Sequence, residues 1–151
     1  MAEETISQLS EALYQQLQSE TLVLLHTIDA ESGGPTSSAI SWVYAADPKT
    51  VRFALDRRSR LVANIKENVD VTLTVFGGGT VHAIQGKASV VTDALEGVPF
   101  RMVCVDVSVM SVRDAMFYGS RITVHPEYEK TYDKRAAEKL DNQVFSALKK
   151  A

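Results

Sequence analysis

The sequence contains a single cysteine, Cys104, which excludes an internal disulfide and favours a reducing compartment. No apolar run approaches the roughly 20 residues of a membrane span, so we expect no membrane contact. The start, Met1–Glu4, is acidic, unlike the basic start of a signal peptide. The formal net charge of -3 does not provide the broad basic footprint of a nucleic-acid-binding protein. We therefore expect a cytoplasmic protein.

The overall composition is that of an ordinary globular protein, with 45% hydrophobic and 23% charged residues. A chain of 151 residues is long enough to bury a core of its own. No linker, repeat or low-complexity tract divides it, so we expect one domain over residues 1–151.

Three histidines, His26, His82 and His125, could in principle bind a metal or haem. Each is isolated in sequence, without a second ligand at the short spacing of metal-binding pairs. We expect local hydrogen bonds for His26 and His82, a capping role for His125 at the last helix, and no metal site.

Apolar periodicity divides the chain into helices and strands. Helices are predicted over Thr5–Ser19, from the Ser59 region through Asn68, and from Pro126 to the end of the chain. Strands are predicted over Thr21–Asp29, Ser38–Ala45, Val51–Leu55, Val69–Val75, Thr80–Val91, Val103–Val109 and Gly119–Val124.

The connections indicate how these strands are arranged. Gly77-Gly78-Gly79 lacks the Lys-Ser/Thr of a P-loop and predicts a hairpin turn, while Gln85-Gly86 predicts a bulge in a long strand. The fold class is mainly β, with six or seven mostly antiparallel strands, helices at both termini and one inserted helix. Long bent strands with hairpin links favour a closed barrel over an open sheet.

Residues 56–60, Asp-Arg-Arg-Ser-Arg, carry the strongest functional signal. Ser59 is a good N-cap residue, because its hydroxyl can accept a bond from a free amide of the first helical turn. Arg57, Arg58 and Arg60 crowd a helix start whose dipole is already positive. A bound anion would reverse that unfavourable interaction, since amides and guanidinium groups both suit phosphate. We interpret the segment as a phosphate cradle; the alternative is a solvated basic turn.

The order of elements around this segment resembles the pyridoxamine 5'-phosphate oxidase-like family of FMN-binding split β-barrels, in its general-stress-protein branch. The similarity lies between Ser38 and Val91, about a third of the chain, and includes an S-R-x-x-x-x-I helix. It is carried by residues 51–60, Asn64-Ile65, Asn68, Val71 and residues 85–88.

The resemblance implies a non-covalent FMN site between two subunits, and hence a homodimer. It implies that Ser59 and Arg60 hold the phosphate, and that the end of the preceding strand lies against the flavin. Another strand lines the edge of the isoalloxazine ring with backbone groups. The implied cofactor-binding residues are Ile40, Ser41, Trp42, Ala54, Leu55, Arg57, Arg58, Ser59 and Arg60.

Several positions depart from the pattern of true pyridoxamine phosphate oxidases. Leu61 stands where that pattern has a lysine, and Ala39 and Tyr44 stand where it has arginine and lysine. Arg57 or Arg58 is our hypothesis for the replacement of the lost phosphate cation. The family's C-terminal substrate motif is also absent, so we do not expect pyridoxamine oxidation.

The leading functional hypothesis is an FMN-dependent oxidoreductase acting on an unknown small molecule. No acid or base can be assigned to a substrate, which favours the alternative of a flavin- or haem-binding protein without turnover. A third hypothesis is a stress-linked interaction protein without flavin, and a deazaflavin could replace FMN. Trp42 could stack on the ring or fill the barrel, and Cys104 is expected to be a small buried residue.

Overall fold

The computed structural model describes residues 5–151, in which an antiparallel sheet is combined with three helices. Among these residues, none of the helices combines the length and apolar character of a membrane span. In chain order the elements are β1 (Thr5–Ile6), α1 (Glu11–Gln16), β2 (Val23–Ile28), β3 (Pro35–Ile40), β4 (Val43–Asp47), β5 (Thr50–Asp56), α2 (Arg60–Glu67), β6 (Asp70–Gly77), β7 (Thr80–Thr92), β8 (Met102–Asp114) and α3 (Lys134–Lys150).

The sheet is a split barrel. Its strand order is β3-β2-β6-β7-β8-β5-β4, with β1 added to β8. β3 and β4 lie at opposite ends of this path, yet only Ser41 and Trp42 separate them in the chain. The sheet must therefore roll up until its two ends meet. No β3–β4 ladder closes it within residues 5–151, so the expectation of a closed barrel is wrong: the covalent link holds the ends together where hydrogen bonds do not.

Two apolar clusters stabilise the fold. The larger one fills the barrel with side chains such as Leu25, Phe53 and Leu73, all fully buried. The smaller one lies outside the barrel, where Val144 and Leu148 of α3 cover β5 and β8. Cys104 belongs to the smaller cluster, and its burial is confirmed. That burial raises the pKa of the thiol to about 11.

Both terminal helices begin later than the sequence pattern predicts. Residues 5–6 pair with β8, and α1 starts only after Ser10, whose hydroxyl accepts a hydrogen bond from the Leu13 amide at 3.2 Å. Pro126 does not start a helix. α3 begins at Lys134, where the carboxylate of Asp133 caps the Arg135 amide. The strand predicted over Gly119–Val124 is irregular chain instead.

The predicted strand over Ser38–Ala45 is in fact two strands. β3 pairs with β2 at one end of the sheet, whereas β4 pairs with β5 at the other end. Ile40 consequently packs against the barrel interior, while Trp42 and Tyr44 pack against the cluster under α3. In the single strand predicted over Ser38–Ala45, period-two alternation would put these three side chains on one face; they do not share it, because the chain changes its strand partner between Ile40 and Trp42.

The predicted hairpin turn is confirmed, and a bulge lies at the predicted place but on the partner strand. Gly78 and Gly79 have φ of 62° and 80°, the left-handed conformation that a two-residue hairpin requires at both positions. The β7–β8 register shifts between Gln85 and Gly86. The unpaired residue is Met110 on β8, so it is the partner strand that bulges.

Candidate functional site

The basic turn joins β5 to α2. Ser59 is the N-cap of α2, as predicted, and its Oγ accepts a hydrogen bond from the Leu61 amide at 3.2 Å. The first turn of α2 contains no acidic residue. Within residues 5–151 the Arg60 amide has no hydrogen-bond partner. One free donor thus remains at a positive helix end, which favours an anion there.

The three arginines of the turn lie in different environments. Arg58 is already compensated: its backbone and side chain both bond the carboxylate of Asp56, at 2.8 and 3.3 Å, and they lower the pKa of that carboxyl. The Arg57 amide bonds the Arg101 carbonyl at 3.2 Å, and its guanidinium has no partner among the described residues. Asp56 therefore offsets one of the three positive charges of the turn, whereas the Arg57 guanidinium is not paired with any described residue.

Arg60 reaches across to the β2–β3 hairpin. Its Nη2 donates to the Thr36 hydroxyl at 3.5 Å. Hydrogen bonds from Ser32 lower the pKa of Asp29 in this hairpin, and the nearby charge of Arg60 lowers it further. The guanidinium is thus positioned at the start of β3.

Asn64 fixes the position of α2 on the hairpin. Its Oδ1 accepts from the Ala30 amide at 2.9 Å, and its Nδ2 donates to the Thr27 hydroxyl at 3.1 Å. Asn64 and Thr27 are both buried. Sequence reasoning missed this contact, although a polar side chain on the apolar face formed by Leu61 and Ile65 is the signal that could have revealed it.

We expect replacement of Asn64 by leucine to lower the free energy of unfolding by about 1–3 kcal/mol, because the buried Thr27 hydroxyl and the partly buried Ala30 amide lose their partner. Thermal or urea unfolding measures this loss. Glu67→Leu on the exposed side of the same helix is the control, with a change of less than about 0.5 kcal/mol expected. Equal losses in the two variants would contradict the anchoring role of Asn64.

The second group of implied cofactor residues surrounds the link between β3 and β4. The Trp42 carbonyl accepts a hydrogen bond from the Ala54 amide at 3.1 Å, which places the link beside the end of β5. Within the described chain, neither the backbone nor the hydroxyl of half-buried Ser41 has a hydrogen-bond partner. These free groups remain available to a ligand.

The side chains around the link face two directions. Ile40 packs against the barrel interior and Leu55 lies within it, while Ala54 and Trp42 lie under α3. The Trp42 indole Nε1 donates to Asp141 Oδ1 of α3 at 2.8 Å. Trp42 therefore does not fill the barrel.

The clefts of the single chain lie away from the basic turn. One of about 570 Å³ lies between α3 and residues 129–130, and another of about 580 Å³ lies on the outer face of β2, β6 and β7. Neither contains Arg57, Arg58 or Arg60. In the single chain the turn is an open surface, so an enclosed phosphate site there requires a second surface.

The histidines are separate from one another. His26 bonds the hydroxyls of Ser37 and Thr74 at 2.8 Å each, and His82 bonds the Gly77 carbonyl at 3.0 Å, which confirms that both are satisfied locally. His125 does not cap α3; its Nε2 accepts from the Gly79 amide at 3.2 Å. Residues 5–151 form no group of three His, Cys, Asp or Glu side chains that could hold a metal.

Comparison with known proteins finds a matching family model and several solved structures with a similar fold. The family model described as pyridoxamine 5'-phosphate oxidase matches residues 9–112. A solved structure from Lactobacillus delbrueckii, described as a candidate pyridoxamine 5'-phosphate oxidase, is 21% identical with a TM-score of 0.63, over 74% of this chain and 98% of its own. An F420 reductase is 16% identical with a TM-score of 0.58, over 69% of this chain and 98% of its own. General stress protein 26 from Bacillus anthracis is 14% identical with a TM-score of 0.53, over 66% and 87%. No protein of curated function matches.

Proposed function

This chain belongs to the pyridoxamine 5'-phosphate oxidase family, and from that premise we propose that it binds FMN and acts as an oxidoreductase on a small molecule. The proposed phosphate site is the start of α2. Arg60 supplies a guanidinium and a free amide there, Ser59 caps the helix, and Arg57 supplies a second cation. Arg58 is a weaker contributor because Asp56 already pairs with it.

The proposed ring site is the link at the far end of β3. Thr36, which contacts Arg60, and Ser41 are five positions apart, and a strand rises about 3.4 Å per residue, so they lie roughly 17 Å apart. This separation is comparable to the length of an extended FMN. The observation that carries the proposal is this pairing: anion-binding groups at one end of a strand and unpartnered backbone groups of Ser41 at the other.

FMN supplies two-electron redox chemistry when it is bound, and the protein supplies anchoring, orientation and solvent exclusion. The Ser41 amide is the proposed donor to the ring edge, where a hydrogen bond tunes the flavin potential. Trp42 and Ala54 support this backbone from behind, since their side chains pack under α3 and keep water from that side.

A binding protein without turnover is the second candidate. Apart from arginines, none of the implied cofactor residues carries a titratable side chain, so they provide no general acid or base. Among the structural neighbours, the F420 reductase is the reason to keep a deazaflavin as an alternative ligand. Haem is the other alternative.

A homodimer with the site at its interface is part of the proposal. The basic turn is open in the single chain, and a second copy is the surface proposed to cover it. Light scattering of purified protein should give twice the mass of the 16.6 kDa chain. A monomeric mass at micromolar concentration would contradict this arrangement.

The test of the proposed function is mass spectrometry of ligand released from freshly purified protein, followed by titration of the stripped protein with FMN. We expect FMN to be released and to rebind with micromolar or tighter affinity. Bleaching of the bound flavin by NADH or NADPH would support the oxidoreductase over the binding protein. Release of deazaflavin or haem would show that this molecule, and not FMN, is the ligand. A colourless protein that does not bind FMN would overturn the proposal.

A further inference from the structure

The link between β3 and β4 is held by a residue remote from it in sequence. The Trp42 indole nitrogen donates to Asp141 Oδ1 at 2.8 Å, although the two residues are 99 positions apart. The only other hydrogen bond of the link within residues 5–151 joins the Trp42 carbonyl to the Ala54 amide. Ser41 makes none. The Ser41 backbone is therefore held only through its neighbours: Ile40 pairs with β2, Val43 pairs with β5, and Trp42 is fixed through Ala54 and Asp141.

Asp141 is itself held by charge. Lys130 Nζ lies 3.4 Å from Asp141 Oδ2 and 3.0 Å from Glu20 Oε1, and the Tyr128 hydroxyl also donates to Glu20. Partial burial alone would lower the pKa of Lys130, but the bonds to Glu20 and Asp141 raise it. The side chain of Asp141 is only 15% exposed. One carboxylate oxygen thus faces the ammonium group while the other faces the indole.

We propose that Asp141 is a positioning residue for the flavin site, because it fixes Trp42 and thereby orients the free Ser41 backbone groups toward the ring edge. The inference rests on the proposed function. It assigns α3 a role in ligand binding, although α3 lies outside the part of the chain that the family model matches.

The experiment compares Asp141→Ala with Asp141→Asn. Alanine removes the acceptor for the indole N–H, and we expect the dissociation constant for FMN to rise about 10-fold or more. The asparagine Oδ1 can still accept that bond, so we expect D141N to stay within about threefold of wild type. Trp42 is the only tryptophan in the sequence, so its emission reports on the same contact without flavin. It should shift to longer wavelength in D141A but not in D141N.

Lys139→Gly is the matched control for α3 stability. Lys139 is exposed on the same helix, and glycine weakens the helix without changing the acceptor for Trp42. We expect K139G to lower the melting temperature while leaving FMN affinity and Trp42 emission unchanged. Comparable losses of affinity in K139G and D141A would show a merely structural effect and overturn the inference.

The remaining outcomes separate this inference from the proposed function. If wild-type protein binds FMN and D141A binds it equally well, the positioning role is overturned alone. If wild-type protein does not bind FMN, the proposed function fails, and the positioning role fails with it.

Discussion

Replacing Arg60 with glutamine is expected to raise the dissociation constant for FMN by about 10- to 100-fold. A hydrogen bond to a charged group contributes about 1.5–3 kcal/mol, and about 1.4 kcal/mol corresponds to a tenfold change in affinity. Arg60 combines a guanidinium, a free amide at a helix start and a contact with the Thr36 hydroxyl. Quenching of flavin fluorescence in a titration measures the change.

Substitutions of the two neighbouring arginines are the controls, since each of them also removes one positive charge from the same turn. We expect Arg58→Gln to change FMN affinity by less than about threefold, because Asp56 already compensates Arg58. Arg57→Gln should have an intermediate effect if Arg57 supplies the missing phosphate cation. Equal losses in all three variants that disappear at high salt would indicate diffuse attraction and contradict a specific cradle.

Replacing Gly86 with alanine is expected to lower the free energy of unfolding by about 3 kcal/mol, because overpacking a tight site costs this order of magnitude. A Cβ at this position would lie 2.3 Å from the Ser108 carbonyl oxygen and 2.7 Å from Val107 Cγ1. The β8 backbone has little freedom to retreat, since β7 and β5 pair with it on opposite sides. Urea unfolding measures the loss.

Gly34→Ala is the control for this substitution. A Cβ at Gly34 would make only an ordinary contact, 3.6 Å from Ser32 Oγ, so we expect a change of less than about 0.5 kcal/mol. If G86A were no less stable than G34A, the close approach of β7 and β8 would not be a constraint on this fold. Gly86 lies where the β7–β8 register shifts, so the substitution also tests the feature that bends the long strands.

Sequence reasoning succeeded where structure depends on near neighbours. The Ser59 cap was predictable because a capping hydroxyl bonds an amide two residues away. The hairpin at Gly78 and Gly79 was predictable because its backbone conformation suits glycine. The last helix was predicted correctly over its second part, but its start at Pro126 was wrong: Tyr128 and Tyr132 lie four residues apart, as on a helical face, yet the chain before Lys134 is irregular and both side chains are exposed.

The division of Ser38–Ala45 into β3 and β4 could not be predicted in the same way. Apolar alternation continues across Ser41 and Trp42, and no glycine or proline interrupts it. The strand ends there because its two halves pair with strands at opposite ends of the sheet, β2 and β5. That choice depends on rolling the whole sheet, which short-range periodicity does not encode.

The candidate site shows the same difference between short-range features, which sequence predicts, and long-range contacts, which it does not. Five adjacent residues were enough to predict a capped, basic helix start, since caps and helix dipoles are short-range effects; that this helix start binds phosphate is our proposal. The contacts that position the site join residues far apart: Arg60 with Thr36 over 24 positions, Asn64 with Ala30 over 34, and Trp42 with Asp141 over 99. The Asn64 and Trp42 pairs form because polar groups that the fold brings out of water must find partners among the neighbours it places there, whereas the Arg60 pair is exposed. Local sequence thus specified which chemistry is present, and the rolled sheet with α3 packed on it decided where that chemistry is held.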